Sequence, residues 1–266
     1  MTVEQKRYRK FLSKKIQQLN DIVADLDSLV TEIGSDFYRV SIFGSARIKP
    51  DTAEYKEVYH LAKLLASRGV DIVTGGGPGL MEAANLGAKE GSNHSRSFGL
   101  HIELPFETDT NLHLDVKYHH RRFSSRLDEF MRISHAVVVT PGGIGTLLEL
   151  FYTWQLMQVN HITPRPLILL GSMWEPLLKW MEEFPLKRAL MDQKDFNSII
   201  LVRSVDEVIT KLEPSIQDFY QKAGMPIPTA TVAGMPTATT TTPPLASDPA
   251  APAGSAAPIV PPKTTP

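Results

Sequence analysis

One junction constrains this chain most: the run Ala136-Val137-Val138-Val139-Thr140 passes directly into Pro141-Gly142-Gly143-Ile144-Gly145-Thr146. Apolar residues at consecutive positions, without alternation, mark a strand buried on both faces, as in a parallel sheet covered by helices. The segment Leu147 to Val159 that follows reads as a helix. The glycine-rich stretch is therefore a strand-to-helix turn. Such a turn presents backbone N–H groups at the positive end of a helix, a setting that suits a phosphate. Thr146 adds a hydroxyl donor. Glu149 falls about one turn into the helix. A carboxylate there is a poor phosphate ligand and is better placed to act on a sugar attached to the phosphate.

The same alternation extends over most of the chain. Strands are expected at Arg39–Phe43, Val70–Thr74, Ser97–Ile102, Ala136–Thr140, Pro166–Leu170 and Ile199–Val202. Helices are expected at Thr52–Ser67, Gly79–Glu90, Arg121–Ile133, Thr146–Val159, Glu175–Met191 and from Val205 past Lys211. This order predicts an α/β fold, a doubly wound parallel sheet with helices on both faces. Right-handed crossovers then gather the strand-to-helix turns at one edge of the sheet. The glycine clusters at 44, 75–79 and 142–145 all fall at such ends and should define one site.

This domain is expected over residues 37–223. Residues 1–36 carry apolar positions at helical spacing, among them Phe11, Ile16, Leu19, Val23, Leu26 and Val30, ended by Gly34. That stripe predicts an amphipathic helix, or two, docking on the core or on a partner subunit. Residues 224–266 are rich in Pro, Thr and Ala, contain no aromatic residue and almost no charge. Such a composition offers too little apolar surface to offset ordering entropy, and a disordered tail is expected.

Charge and cysteine content remove whole classes of function. Lys+Arg number 28 against 29 Asp+Glu, a net charge of -1. That balance gives no support for nucleic-acid or membrane-surface binding. The chain has no cysteine, which excludes disulfides, thiolate metal sites and cysteine nucleophiles and fits a cytoplasmic location. No signal peptide or membrane-spanning run is apparent. His119 and His120 are adjacent, a poor spacing for metal ligands, and His94, His101 and His113 form no ligand pattern. Lys89 and Lys117 have no context for a Schiff base. Trp154, Met157, Trp174 and Trp180 are expected to pack in the core or at a subunit interface.

Three further clusters accompany the 141–149 turn. Gly44 and Ser45, in Phe43-Gly44-Ser45-Ala46-Arg47, suit nucleotide contact from the end of the first strand. The stretch Gly75-Gly76-Gly77-Pro78-Gly79-Leu80-Met81-Glu82 lacks the Gly-Lys-Ser/Thr of a P-loop and does not complete G-x-G-x-x-G. What remains is a backbone cradle in which Gly76 and Gly77 approach a phosphate and Glu82 lies close to the substrate. In Arg121–Arg132, Leu127, Phe130 and Met131 form a helical core face. Arg126 lies beside that face and can point along the sheet edge toward the turns.

Taken in order, VTGGGPGLMEAANLGAKEG, SRLDEFMRISHAVVVTPGGIGTLLELFYTW and the early FGSA resemble the Lonely-Guy (LOG) family, long labelled lysine decarboxylase-like. The resemblance covers about residues 38 to 215. It implies a Rossmann-like sheet, a homodimer or higher homo-oligomer, and hydrolysis of the N-glycosidic bond of a nucleoside 5′-monophosphate to free base and ribose 5-phosphate. On that resemblance Glu149 and Arg126 are the catalytic residues. Gly142, Gly143, Gly145, Thr146, Gly76 and Gly77 hold the phosphate, and no metal or cofactor is needed. In plant-type, cytokinin-activating members the arginine is followed by lysine, whereas here Leu127 follows. The Arg-Leu-x-x-Phe-x-Arg-x-x-His pattern, with Arg132 and His135, is more similar to bacterial pyrimidine/purine nucleotide 5′-monophosphate nucleosidases.

The chemistry asks for these groups. Breaking the C1′–N bond builds positive charge on the ribose, as in glycoside hydrolysis. A carboxylate at C1′ stabilises that charge or orients the attacking water. The phosphate anchors the sugar so that remote binding energy favours the transition state. The alternative is a non-catalytic carrier of a nucleotide or of molybdenum cofactor, which would use the same glycine turns but has no need of Glu149. A purely structural or regulatory dimer explains none of the turns.

Overall fold

The computed structural model describes residues 6–16, 19, 37–92, 94–102 and 110–228. Residues 6–16 form a helix, α1. The rest of the expected N-terminal amphipathic segment and the tail beyond Pro228 lie outside the described residues.

From Arg39 the chain alternates as its patterning predicts. The first half runs β1 (Arg39–Phe43), α2 (Ala53–Ala66), β2 (Asp71–Thr74), α3 (Leu80–Gly91), β3 (Ser97–Ile102), β4 (Val116–His120) and α4 (Phe123–Ile133). The second half runs β5 (Ala136–Val139), α5 (Ile144–Gln158), β6 (Leu167–Leu170), α6 (Glu175–Met181), α7 (Gln193–Phe196), β7 (Ile199–Val202) and α8 (Val205–Ala223). The seven strands form one sheet in the order β4-β3-β2-β1-β5-β6-β7. All six pairings are parallel.

Alternate residues of the central strands feed two cores. Val40, Ile42, Ile72, Val138 and Ile168 pack under α2, α3 and α8. Phe43, Val73, Val137, Val139 and Leu167 pack under α4 and α5 on the opposite face. Burial on both faces is why these strands read as unbroken apolar runs. The predicted face of α4, namely Leu127, Phe130, Met131 and Ile133, is buried. Trp154, Met157 and Trp174 are in the second core, whereas Trp180 is exposed and stacks on Phe184.

Three elements depart from the sequence-based expectation, one of them the short α7, Gln193–Phe196, which lies where no helix is expected. β4 is a seventh strand, and its residues Val-Lys-Tyr-His-His are half-buried to exposed. It is the sheet edge, where polar side chains discourage further strand pairing, so it has no apolar signature. The helix expected over Glu175–Met191 stops at Met181 and passes into a π-helical turn, Glu182–Leu186, that contains Pro185. Proline lacks the N–H that a continuing helix requires.

Helix ends follow local chemistry. Thr52 accepts from the Tyr55 N–H at 3.3 Å, and Ser204 accepts from the Glu207 N–H at 3.3 Å, each satisfying an N-terminal donor. α8 ends at Gly224, in the left-handed region at φ 65°, the usual C-terminal glycine geometry. Beyond it Met225 packs against the first core. Pro228 lies on Gly69, itself at φ +74°. Residues 224–228, grouped with the tail by composition, thus fold back onto the domain.

Candidate active site

The strand order decides where the glycine turns meet. From β1 the chain builds β2, β3 and β4 to one side; from β5 it builds β6 and β7 to the other. The β1/β5 boundary is a topological switch point, where crossovers diverge and leave a crevice at the C-terminal strand ends. The turns after β1, β2 and β5 border it.

Backbone hydrogen bonds lock the three turns together. The Ser45 N–H donates to the Pro141 carbonyl at 3.0 Å, and the Leu80 N–H donates to the Ser45 carbonyl at 2.9 Å. The 44–47 turn is thereby held between the other two. Gly79 sits at φ +70°, and a β-carbon there would run into the Ser45 and Ala46 backbone. The Thr140 hydroxyl donates to the Phe43 carbonyl at 2.8 Å, fixing the ends of β1 and β5.

A cleft of about 450 Å³ opens above these turns. Arg126 projects into it from α4 and is held on several sides. Its Nε donates to the Leu100 carbonyl of β3, at 2.6 Å. Its guanidinium lies over the Phe130 ring, 5.2 Å from the centroid. It also rests on the backbone of Gly75, where any β-carbon would overlap it. Arg126 Nη1 stands 3.4 Å from Glu149 Oε1, and both side chains are 12% exposed. Burial raises the Glu149 carboxyl from its ordinary 4.5 to about 7, against the opposing pull of Arg126. A carboxyl poised near neutrality can be ionised and still accept a proton, the property wanted in a general base.

In the same cleft, at the N-terminal end of the helix that carries Glu149, Gly143 and Gly145 have open space where a side chain would be, and Thr146 also lines it. The first turn of α5 has no acidic residue, so nothing there opposes an anion at the helix N-terminus. The cleft can therefore seat an anion beside a carboxylate–guanidinium pair.

Of the residues singled out by sequence, Gly44, Ser45, Gly77, Arg126, Gly143, Gly145, Thr146 and Glu149 line the cleft. Gly142, Gly76 and Glu82 do not. Gly142 is filled from behind by the Thr146 side chain. The Gly76 N–H is spent on Thr74 Oγ1 at 2.9 Å, and Gly76 abuts the Gly99 backbone. Glu82 stands near Tyr55 of α2, whose hydroxyl pKa is raised first by burial and then by the Glu82 charge. Arg132 and His135 are remote from the cleft: Arg132 pairs with Glu129, and His135 Nδ1 accepts the Arg39 N–H at 2.9 Å.

Sequence reasoning assigned no individual site role to Ala46, Arg47, Gly75, Met81, His101, Ile102, Phe123 and Ile144, which complete the lining. The available signal was position. Each lies at a strand end, in the loop that follows a strand, or in the first turn of the next helix, the places that face a crevice in a doubly wound sheet.

The fold and cleft define a Rossmann-like α/β domain with its site at the topological switch point. Residues 81–212 match the family model described as "Possible lysine decarboxylase". The chain is 31% identical over 133 residues to the pyrimidine/purine nucleotide 5′-monophosphate nucleosidase of Escherichia coli (strain K12). That match covers 44% of this chain and 28% of the relative, so under a third of the relative's length is represented. It is 27% identical over 186 residues to the probable cytokinin riboside 5′-monophosphate phosphoribohydrolase LOGL3 of Oryza sativa subsp. japonica, covering 67% of this chain and 85% of the relative. Among solved structures, the molybdenum cofactor binding protein from Rippkaea orientalis superposes with a TM-score of 0.53 at 20% identity, over 69% of this chain and 99% of that one. The molybdenum cofactor carrier protein from Chlamydomonas reinhardtii gives 0.51 at 20% identity, over 68% and 99%. These two likenesses are of fold.

Proposed function

We propose that this chain hydrolyses the N-glycosidic bond of nucleoside 5′-monophosphates, AMP-like purine or cytokinin nucleotides, to free base and ribose 5-phosphate. The observation that carries the reading is the Arg126–Glu149 pair, 3.4 Å apart, in the same cleft as the open backbone of Gly143 and Gly145 at the α5 N-terminus, one helical turn before Glu149. The phosphate binds the turn at the α5 N-terminus. The ribose then extends over Glu149, whose ionised carboxylate stabilises the charge growing at C1′ and takes a proton from the attacking water. Water adds to C1′, the C1′–N electron pair leaves with the base, and the base is protonated. Arg126 holds Glu149 in place and favours its charged form. The names of the Escherichia coli and rice relatives support a reaction on nucleotide monophosphates.

The test is incubation of purified protein with AMP, GMP, CMP and UMP, with assay of free base and ribose 5-phosphate. Release from at least one supports the reading; no release from any, by folded protein, sinks it.

A carrier of a nucleotide-like cofactor would use the same turns. Glu149 argues against it, because a buried carboxylate carries a desolvation cost that mere retention of an anion does not require. Cofactor retained through purification, without turnover, would favour the carrier.

We also propose that the chain acts in the cytoplasm as a homodimer or higher homo-oligomer. Ile144, Leu148 and Phe151 of α5 are exposed apolar residues at spacings that share one helical face, next to the cleft.

A further inference from the structure

We infer that Arg47 binds the substrate's 5′-phosphate and is the side chain that makes this cleft select a nucleoside monophosphate over the nucleoside; the inference rests on the nucleotide reading above. The argument begins with charge. A phosphate monoester carries about −1.5 to −2 at neutral pH. A helix N-terminus supplies the equivalent of roughly +0.5. The first turn of α5 contains no basic residue, and the first turn of α3 contains an acidic one, Glu82. The glycine turns alone leave most of the phosphate charge uncompensated.

Among the described residues, arginine enters the cleft lining at two positions, Arg47 and Arg126. Arg126 is committed: its charge is matched by Glu149 at 3.4 Å, and its Nε is spent on the Leu100 carbonyl. Arg47 is exposed at the mouth. Among the described residues its guanidinium makes no ion pair. A guanidinium grips phosphate oxygens with two parallel N–H bonds.

The backbone carrying Arg47 is set between the two anion-binding turns. The Arg47 N–H donates to Ser45 Oγ at 3.1 Å. Ser45 in turn is bonded through its N–H to the Pro141 carbonyl and through its carbonyl to the Leu80 N–H. The root of the side chain is thus fixed beside the α5 N-terminus while its head is left to close on a ligand. Because Arg47 is exposed, its removal should leave the fold intact.

The experiment measures binding by isothermal calorimetry in the Glu149→Gln background, expected to bind nucleotide while turning it over roughly a hundredfold to a thousandfold more slowly, with and without Arg47→Met or Arg47→Lys. The probes are AMP, ribose 5-phosphate and, at millimolar concentration, adenosine. Loss of a charge-assisted contact should weaken AMP and ribose 5-phosphate roughly tenfold to a hundredfold for Arg47→Met. Adenosine should change less than about twofold, and Arg47→Lys should recover part of the loss. AMP affinity unchanged by Arg47→Met overturns the inference alone. An equal loss for AMP and adenosine also overturns it, because Arg47 would then act on the sugar, the base or the fold. If AMP does not bind even with Arg47 present, the inference and the nucleotide reading fall together. If AMP binds but the unmutated protein never cleaves it, the hydrolase reading falls and the Arg47 comparison still decides the inference.

Discussion

The guanidinium of Arg126 lies directly on the backbone of Gly75, so that a β-carbon at Gly75 would overlap one of its nitrogens. Gly75 belongs to the β2–α3 turn and Arg126 to α4, and the contact sets how deeply the guanidinium reaches toward Glu149. Gly75→Ala should therefore act at a distance of one residue. The methyl group displaces the end of a flexible side chain and the Met81 sulfur, so folding should survive. The Arg126–Glu149 geometry should not, and kcat for AMP should fall at least tenfold, in keeping with the sensitivity of catalysis to misplacement of about 1 Å. A variant with parental kcat would remove the Gly75 contact from the positioning of the pair.

Glu149→Gln is close to isosteric and removes only the charge. Loss of one transition-state electrostatic partner typically costs about 2.7–4 kcal/mol, so kcat should fall roughly a hundredfold to a thousandfold while AMP binding persists. Turnover within a few-fold of the parent would exclude Glu149 from the chemistry.

The pH dependence follows from the same carboxyl. It is raised by burial to about 7, and the proposed mechanism uses the ionised form, so kcat should rise with pH and level off above that value. The profile belongs in kcat, because the phosphate's own second ionisation near about 6 also enters kcat/KM. Folding has the opposite sign. A carboxyl whose folded pKa lies above its unfolded value favours the fold at low pH, and that contribution is lost as pH rises from about 4.5 to about 7. Glu149→Gln should flatten this part of the stability profile, as measured by urea melts across the interval. A kcat that is level from pH 5 to 8 would contradict the assignment.

Gly143 has open space where a β-carbon would be, so Gly143→Ala should fold normally and obstruct only what approaches that backbone. Combined with Thr146→Val, which deletes the hydroxyl donor, it should lower kcat/KM for AMP and leave adenosine little changed. The ratio of the two, measured in both proteins, reports the phosphate contact. A parent that cleaves adenosine as well as AMP would show that the α5 turn is no phosphate site.

Truncation after Pro228 should leave the melting temperature and activity near the parental values. Truncation after Ala223 removes Met225 from the first core and Pro228 from Gly69. Partial loss of one apolar side chain costs about 1–2 kcal/mol, or a fall of several degrees for a domain of this size. Equal melting temperatures for the two truncations would mean that residues 224–228 contribute nothing.

Much of the fold was legible because both-face burial writes itself into consecutive positions, as in Val137-Val138-Val139. β4 was not legible, because an edge strand such as Val116–His120 buries little. The break at Pro185 was marked by its residue, yet the apolar spacing around it still imitated one helix. Glu149, Arg126 and the 143–146 turn were legible because their spacing along a strand, turn and helix fixes where they emerge. Glu82 and Gly76 carried the same kind of signal but turn away from the cleft. Which face of a turn looks inward depends on what packs behind it, here Gly99 behind Gly76.

The sequence by itself determined the alternation of strands and helices, the three glycine turns at strand ends, and the pairing of a carboxylate with a phosphate-type turn. These depend on local periodicity and on bonds within a few residues. Only the tertiary structure decided that β1 lies beside β5, that Arg126 meets Glu149 at 3.4 Å, and that Arg47 and His101 line the same cleft. Those relations join residues far apart in the chain. They exist because parallel strands are ordered by crossover packing, a balance of buried surface that no local stretch of sequence records.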